Sequence, residues 1–271
     1  MPVELPPGAL ADLVARLRSA GCVFAEDEAR LLAGAAAGPA ELAAWTARRV
    51  AGEPLEHLVG AVVFCGLRVA VGPGVFVPRQ RTAALVARAV AAARAVRGHR
   101  PVAVDLCCGC GAVGLALASA ADLAELHAAD VDPAALHWAR HNLGPVGGTV
   151  HGGDLYDALP RRLRGRVDVL VANAPYVPTA AVGLLPPEAR LHEPHKALDG
   201  GGDGLDVHRR IAAGAPDWLA PGGVLLVEVG EDQAPVLAGV LARAGLQAGT
   251  TPPEEDGTTV VTGVLTGHPS G

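Results

Sequence analysis

Along the first fifty residues apolar positions recur at helical spacing. Leu10, Leu13, Val14 and Leu17 form one stripe, Ala29, Leu31 and Leu32 a second, and Leu42, Ala43, Trp45 and Val50 a third. Gly21, Gly38-Pro39 and Gly52 punctuate them, which predicts three short helices and a small helical domain over residues 1–52. The pattern then shortens. Val62-Val63-Phe64 and Leu67-Arg68-Val69-Ala70-Val71 flank Cys65-Gly66, and Gly72-Pro73-Gly74 follows. This predicts a β-hairpin inside a linker over 53–80. Helical periodicity returns from Thr82 to Arg97. Beyond residue 101 brief apolar runs alternate with helical stretches. The expected strands are 102–106, 126–130, 149–152, 167–172, 224–229, 246–250 and 258–265. Such alternation implies a mostly parallel sheet covered on both faces, here over residues 81–271. The last two strands flank a Pro/Glu-rich turn, Pro252 to Gly257, and are expected to be antiparallel.

Composition narrows the class. With 271 residues, half of them hydrophobic but only 3% aromatic, the chain can bury a large core built from Ala, Val and Leu. The net charge of -6 argues against stable nucleic-acid binding, which needs clustered cations. A local cluster at Arg161, Arg162, Arg164 and Arg166 reads as a solvated loop before a strand. Met1-Pro2-Val3-Glu4 lacks the basic and apolar regions of a secretory signal, and no apolar run reaches the length of a membrane span. Five cysteines, an odd number, fit free thiols in a reducing compartment better than a disulfide framework. The expectation is a cytoplasmic protein with no membrane association.

The candidate chemistry lies where strands end. The apolar run Val102 to Leu106 enters Cys107-Cys108-Gly109-Cys110-Gly111 and then a helix. A strand, a small-residue turn and a helix N-terminus form a cradle for a nucleotide-like ligand. Gly109 and Gly111 allow positive φ and close backbone approach. Asp105 opens this segment. Asp130 ends the next expected strand, where a carboxylate can accept hydrogen bonds from ribose hydroxyls. Asp154-Leu155 follows the third, with the acid placed for an exocyclic adenine amine. The turn lacks G-x-G-x-x-G and a P-loop lysine. An adenosine with a positive centre therefore suits these acids better than a pyrophosphate, and S-adenosylmethionine (SAM) meets that description. Cys107, Cys108 and Cys110 have no second cysteine pair to complete a metal site, so no metal is expected and they are read as small turn residues.

A second element completes the site. Val167 to Ala172 reads as a buried parallel strand, and Asn173-Ala174-Pro175-Tyr176 follows it. A carboxamide and free carbonyls at a sheet rim can hold a planar NH2 group by its two hydrogens. An ordinary strand exit uses the same residue types.

Together these segments resemble the glutamine N5-methyltransferases that modify peptide chain release factors. Glu53 to Gly60 looks like that family's linker entry and Phe76-Val77-Pro78-Arg79 like its loop before the catalytic domain. Asp105 to Gly111 is similar to its cofactor turn and Asn173 to Tyr176 to its Asn-Pro-Pro-Tyr motif. Ala197 to Gly201, Asp203-Gly204-Leu205, Pro221-Gly222-Gly223 and Glu228-Val229-Gly230 match later segments. The resemblance implies a class I SAM-dependent methyltransferase: an α/β fold with a seven-stranded, mostly parallel, Rossmann-like sheet, a small N-terminal helical domain that engages the substrate, and a β-hairpin linker. It implies SAM as cofactor and the glutamine of a release factor's Gly-Gly-Gln loop as methyl acceptor. The cofactor residues would be Asp105, Cys107, Gly109, Gly111, Asp130, Asp154, Leu155 and Asn173. Asn173, Ala174, Pro175 and Tyr176 would be catalytic, with Asn173, Tyr176 and Arg79 touching substrate. The chain departs from the family pattern in having Ala174 for a proline, Cys107 for a glycine, and Gln80-Arg81-Thr82-Ala83 in the loop that usually reads Pro-x-Thr-Glu. Alternative readings are methylation of a nucleobase amine, methylation of a small molecule, and a SAM-binding paralogue without turnover.

Overall fold

The computed structural model describes residues 5–252 and 257–266. Met1 to Glu4 and residues 253–256 of the turn after Pro252 lie outside the described residues.

Three helices open the chain, α1 (Pro7–Ser19), α2 (Ala25–Ala35) and α3 (Pro39–Val50). Two of them begin with proline, whose fixed φ and missing N–H suit a first helical turn. Leu13, Leu17, Leu32 and Leu42 make a separate small core there. A short fourth helix, α4 (Leu55–Val59), falls in the linker and ends at Gly60 with φ 73°. Arg49, 6% exposed, ties these helices together. It donates to both Glu28 oxygens at 2.6 and 3.1 Å and to the Glu53 carbonyl at 3.2 Å, and pairs with Glu188 of the later chain at 2.5 Å.

The hairpin is β1 (Ala61–Phe64) and β2 (Leu67–Ala70), paired Phe64 to Leu67. Its two turn residues, Cys65 and Gly66, both have positive φ, 49° and 76°, the backbone that a two-residue hairpin turn of matching twist requires. Helix α5 (Ala83–Ala95) then leads to the sheet.

The remaining chain alternates as expected. In order come β3 (Val102–Leu106), α6 (Ala112–Ala120), β4 (Glu125–Asp130), α7 (Pro133–Leu143), β5 (Thr149–Gly152) and β6 (Val167–Ala172). Then follow α8 (Thr179–Val182), α9 (Pro187–His192), α10 (Asp206–Trp218), β7 (Leu219–Gly230), α11 (Ala234–Arg243), β8 (Gln247–Thr250) and β9 (Thr258–Val264). The seven strands lie in the order β5-β4-β3-β6-β7-β9-β8. Neighbours from β5 to β7 are parallel, and β9 runs antiparallel to both β7 and β8. Every residue of β3 and β6 is buried. One face packs Leu85, Leu117 and Leu143 of α5, α6 and α7. The other packs Ile211 and Leu237 of α10 and α11. Strand β7 starts five residues before the expected 224, because Leu219 pairs with Val167 ahead of a register irregularity that takes up Pro221-Gly222-Gly223, with Gly222 at φ 82°. Three of the four clustered arginines are engaged at the surface, Arg162 and Arg166 with Glu125 and Arg164 with Asp217. Among the described residues no helix is long and apolar enough to cross a membrane.

Strand order reverses between β3 and β6. The chain leaves β3 toward β4 on one side and β6 toward β7 on the other, so the two strands open a crevice at their C-terminal ends.

Candidate active site

Register places the two sequence motifs side by side. Leu106 pairs with Ala172, so the turn beginning at Cys107 and the turn beginning at Asn173 leave adjacent strand ends. The first turn is tightly wound. Cys107, Gly109 and Gly111 have φ of 55°, 54° and 81°, and the Gly111 N–H closes it on the Cys108 carbonyl at 2.7 Å. An L-residue in the left-handed region costs about 1–2 kcal/mol, so Cys107 carries strain where glycine would carry none. Burial pushes the thiols of Cys107 and Cys108 well up, and that of Cys110 to about 12. They are therefore protonated and poorly nucleophilic.

Two carboxylates brace this turn. Asp130 accepts the Gly109 N–H at 2.9 Å and the Asp132 N–H at 2.8 Å, one on each oxygen. Burial raises its pKa and those two bonds oppose the rise. Asp132 in turn caps α7 through the Ala134 N–H. Asp105 is fully enclosed and accepts the Gly114 N–H at 2.9 Å. Burial is the main cause that lifts its carboxyl to about 7.

The second turn is held from several sides. Asn173 Nδ2 donates to the Thr82 hydroxyl at 3.1 Å. The Tyr176 hydroxyl donates to Glu228 at 3.2 Å, with Arg81 Nε 3.7 Å from the same carboxylate oxygen. Burial, reinforced by Glu228, pushes the Tyr176 phenol to about 12. Gln233 Nε2 donates to the Tyr176 carbonyl at 2.8 Å, and Val177 N–H to the Leu198 carbonyl at 3.1 Å. Behind the turn lies bare main chain. A Cβ on Gly200 would sit 2.6 Å from the Pro175 carbonyl oxygen, and one on Gly204 would strike that of Tyr176.

Both turns line one cavity of about 510 Å³. Asp105, Cys107, Gly109, Asp130, Asp154, Leu155, Asn173, Ala174, Pro175, Tyr176 and Arg79 all reach its wall. Gly111 does not; it packs one layer back against Leu143, 3.0 Å from its would-be Cβ. Asp154 is salt-bridged to Arg210 at 2.6 Å, and Leu155 adopts φ 48°. Arg79, on the cavity wall, is paired within the protein. Its guanidinium spans both oxygens of Glu193 at 2.7 Å and covers the Phe76 ring. Glu193 also accepts the Val77 N–H at 3.0 Å. Sequence reasoning assigned no role to Thr82, Glu193 or Glu228, although Glu228 lay within a matched segment and Thr82 in the loop that departs from the family pattern.

A family model described as "Methyltransferase small domain" matches residues 67–236. A protein of Deinococcus radiodurans named "Release factor glutamine methyltransferase" is 38% identical over 261 residues, 90% of this chain and 92% of its own length. One of the same name from Bradyrhizobium diazoefficiens is 36% identical over 263 residues, 90% and 88%. Another, from Streptomyces coelicolor, is 43% identical over 187 residues, 69% of this chain and 66% of its own length. The chain belongs to the release factor glutamine methyltransferase family. Its sheet is that of the class I SAM-dependent methyltransferases. A solved structure described as a methyltransferase from Pyrococcus furiosus superposes with a TM-score of 0.55 at 16% identity, covering 81% of this chain and 97% of that one.

The family's cofactor is SAM, and the residues present fit it. A Cβ built on Gly109 meets nothing within 4 Å, so the turn leaves open space on its cavity side. The cations on the wall are all engaged, Lys196 by Asp132 at 3.1 Å, Arg210 by Asp154, Arg79 by Glu193 and Arg81 beside Glu228. What the cradle offers is carboxylate, which suits a ligand with positive sulfur and amino groups and not a polyphosphate.

Proposed function

We propose that this chain transfers a methyl group from SAM to the side-chain amide nitrogen of a glutamine, the one in the Gly-Gly-Gln loop of a peptide chain release factor. The observation that carries the reading is the pairing of Leu106 with Ala172, which sets the cofactor turn and the Asn173 turn on one cavity. Family membership supports the same acceptor. When bound, SAM supplies an electrophilic methyl on a cationic sulfur.

The protein's own part is positioning. An amide nitrogen is a weak nucleophile because its lone pair is delocalised, so holding it in line with the methyl lowers the barrier by several kcal/mol. With SAM bound, Asp130 would accept from the ribose hydroxyls and Asp154 from the adenine amine, while Asp105 braces the helix after the turn through the Gly114 N–H. Asn173 Oδ1 accepts one amide hydrogen and the Ala174 main-chain carbonyl accepts the other. That carbonyl survives the loss of proline at 174. Pro175 stiffens the turn, and Tyr176, anchored by Glu228, packs beside the acceptor. No strong base is needed beforehand, since the product can release its proton to solvent. The helices of residues 1–52 engage the protein substrate. The five free cysteines suit a reducing cytoplasm, and the net charge of -6 disfavours a nucleobase acceptor.

The test is mass spectrometry of purified release factor after incubation with the protein and SAM, with Asn173→Ala in parallel. One added methyl on the Gly-Gly-Gln glutamine is expected from the wild type. The variant should bind SAM within a few-fold of normal and lose turnover. An unmodified release factor, or full turnover by the variant, overturns the assignment.

A further inference from the structure

A carboxamide has two nearly isosteric ends, one a donor and one an acceptor. A half-turn about its last torsion exchanges them at little steric cost. In this site the exchange matters, because a substrate NH2 group brings only hydrogens and needs the oxygen. Asn173 therefore has to be held in one of two orientations, and something outside its own turn must do so.

Thr82 is placed for this. It ends the short turn Gln80–Thr82 that leads into α5, and it is 3% exposed. Its hydroxyl makes no capping bond to the helix it precedes. Its partner is Asn173 Nδ2, 3.1 Å away and 91 positions distant in sequence. Among the described residues Asn173 Oδ1 accepts no hydrogen bond, so the acceptor end is the one left for a ligand. The backbone that carries this hydroxyl is itself fixed. Thr82 N–H donates to the Arg79 carbonyl at 3.1 Å, Arg79 is clamped on Glu193, and the Gln80 side chain donates to the Val63 carbonyl of the hairpin at 2.7 Å. Linker, hairpin and the segment after α9 thus all hold the turn from which Thr82 receives Asn173.

We propose that Thr82 is a positioning residue for methyl transfer: by accepting from Asn173 Nδ2 it keeps Oδ1 turned toward the acceptor nitrogen. The proposal rests on the reading of Asn173 as the amide grip. Loss of the hydroxyl leaves the carboxamide free to populate the wrong orientation, in which a donor faces a donor. The cofactor turn is untouched, so the effect falls on kcat and not on SAM binding.

The experiment compares wild type, Thr82→Val, Thr82→Ser and Asn173→Ala with release factor as acceptor, measuring kcat, KM, SAM affinity by calorimetry and thermal midpoint. Thr82→Val keeps the shape and removes the hydroxyl; Thr82→Ala repeats the deletion without the branched methyls should valine perturb folding. The expected result is a fall in kcat of about threefold to tenfold, the range one net hydrogen bond gives, with SAM affinity unchanged and Thr82→Ser within about twofold of wild type. Wild-type kcat in both deletion variants, while Asn173→Ala is inactive, overturns the role of Thr82 and leaves the grip standing. A Thr82→Ser variant as slow as Thr82→Val also overturns it, since packing rather than the hydroxyl would then matter. Full turnover by Asn173→Ala removes the grip and the proposal with it.

Discussion

Asp105 makes the apo protein's stability depend on pH in a definite direction. Its carboxyl is enclosed, burial outweighs the Gly114 N–H that favours the charged form, and Asp130 nearby adds repulsion; together they set its pKa at about 7. In the unfolded chain the same group titrates near about 3.9. The folded state thus binds its proton more tightly, and the resulting stabilisation is complete below about pH 4 and is lost as pH rises toward 7. Between those two values the slope is about 1.4 kcal/mol per pH unit, and it flattens above 7. From about pH 5.5 to about pH 8.5 the loss assignable to Asp105 is on the order of 2 kcal/mol. Asp130 and Glu193 also have raised values and Glu125 a lowered one, so the wild-type profile alone is a sum. Asp105→Asn isolates the contribution, because an amide oxygen still accepts the Gly114 N–H and cannot ionise. Urea unfolding of both proteins across this range, without SAM, should show the asparagine variant losing about 2 kcal/mol less than wild type. Parallel profiles would mean that Asp105 is ionised at neutral pH in the folded state, and the electrostatic account of the cradle would fail.

Other outcomes follow from the same geometry. Asp130→Ala removes the acceptor of two turn N–H groups and of the proposed ribose contact, so SAM affinity should weaken about tenfold to a hundredfold by calorimetry; unchanged affinity would take it out of that role. Cys107 is left-handed, so Cys107→Gly should keep stability within about 1 kcal/mol by urea unfolding, its relief of strain offset by chain entropy and lost packing. Cys107→Val, β-branched at the same φ, should cost about 2 kcal/mol or more.

Much of the scaffold was legible because its signals are local. The all-buried strands β3 and β6 stand out as unbroken apolar runs, and Cys65-Gly66 between two β-rich runs marks the hairpin turn. Helix α4 was missed because five residues between Pro54 and Gly60 hold too little periodicity. The early start of β7 was missed because Pro221-Gly222-Gly223 has turn composition, and only the pairing of Leu219 with Val167 carries the strand back past it. Within the site the acids and the Asn173 turn could be found from their place after strands. Their supports could not, since each is a meeting of distant residues: Thr82 with Asn173, Tyr176 with Glu228 across 52 positions, Arg79 with Glu193 across 114. Arg79 shows what one partner read alone leaves out. An arginine in a loop beside the site suggests a substrate contact, and only the fold adds the buried glutamate that pairs with it.

The rear of the Asn-Ala-Pro-Tyr turn is walled by naked backbone at Gly200 and Gly204. At those two positions any side chain would collide with main chain, so neither glycine can be exchanged without moving the turn. Drift in what the enzyme accepts is therefore open to the side-chain positions of the cavity wall, among them Arg81 and Thr82 of the loop in which this chain parts from the usual pattern of its family.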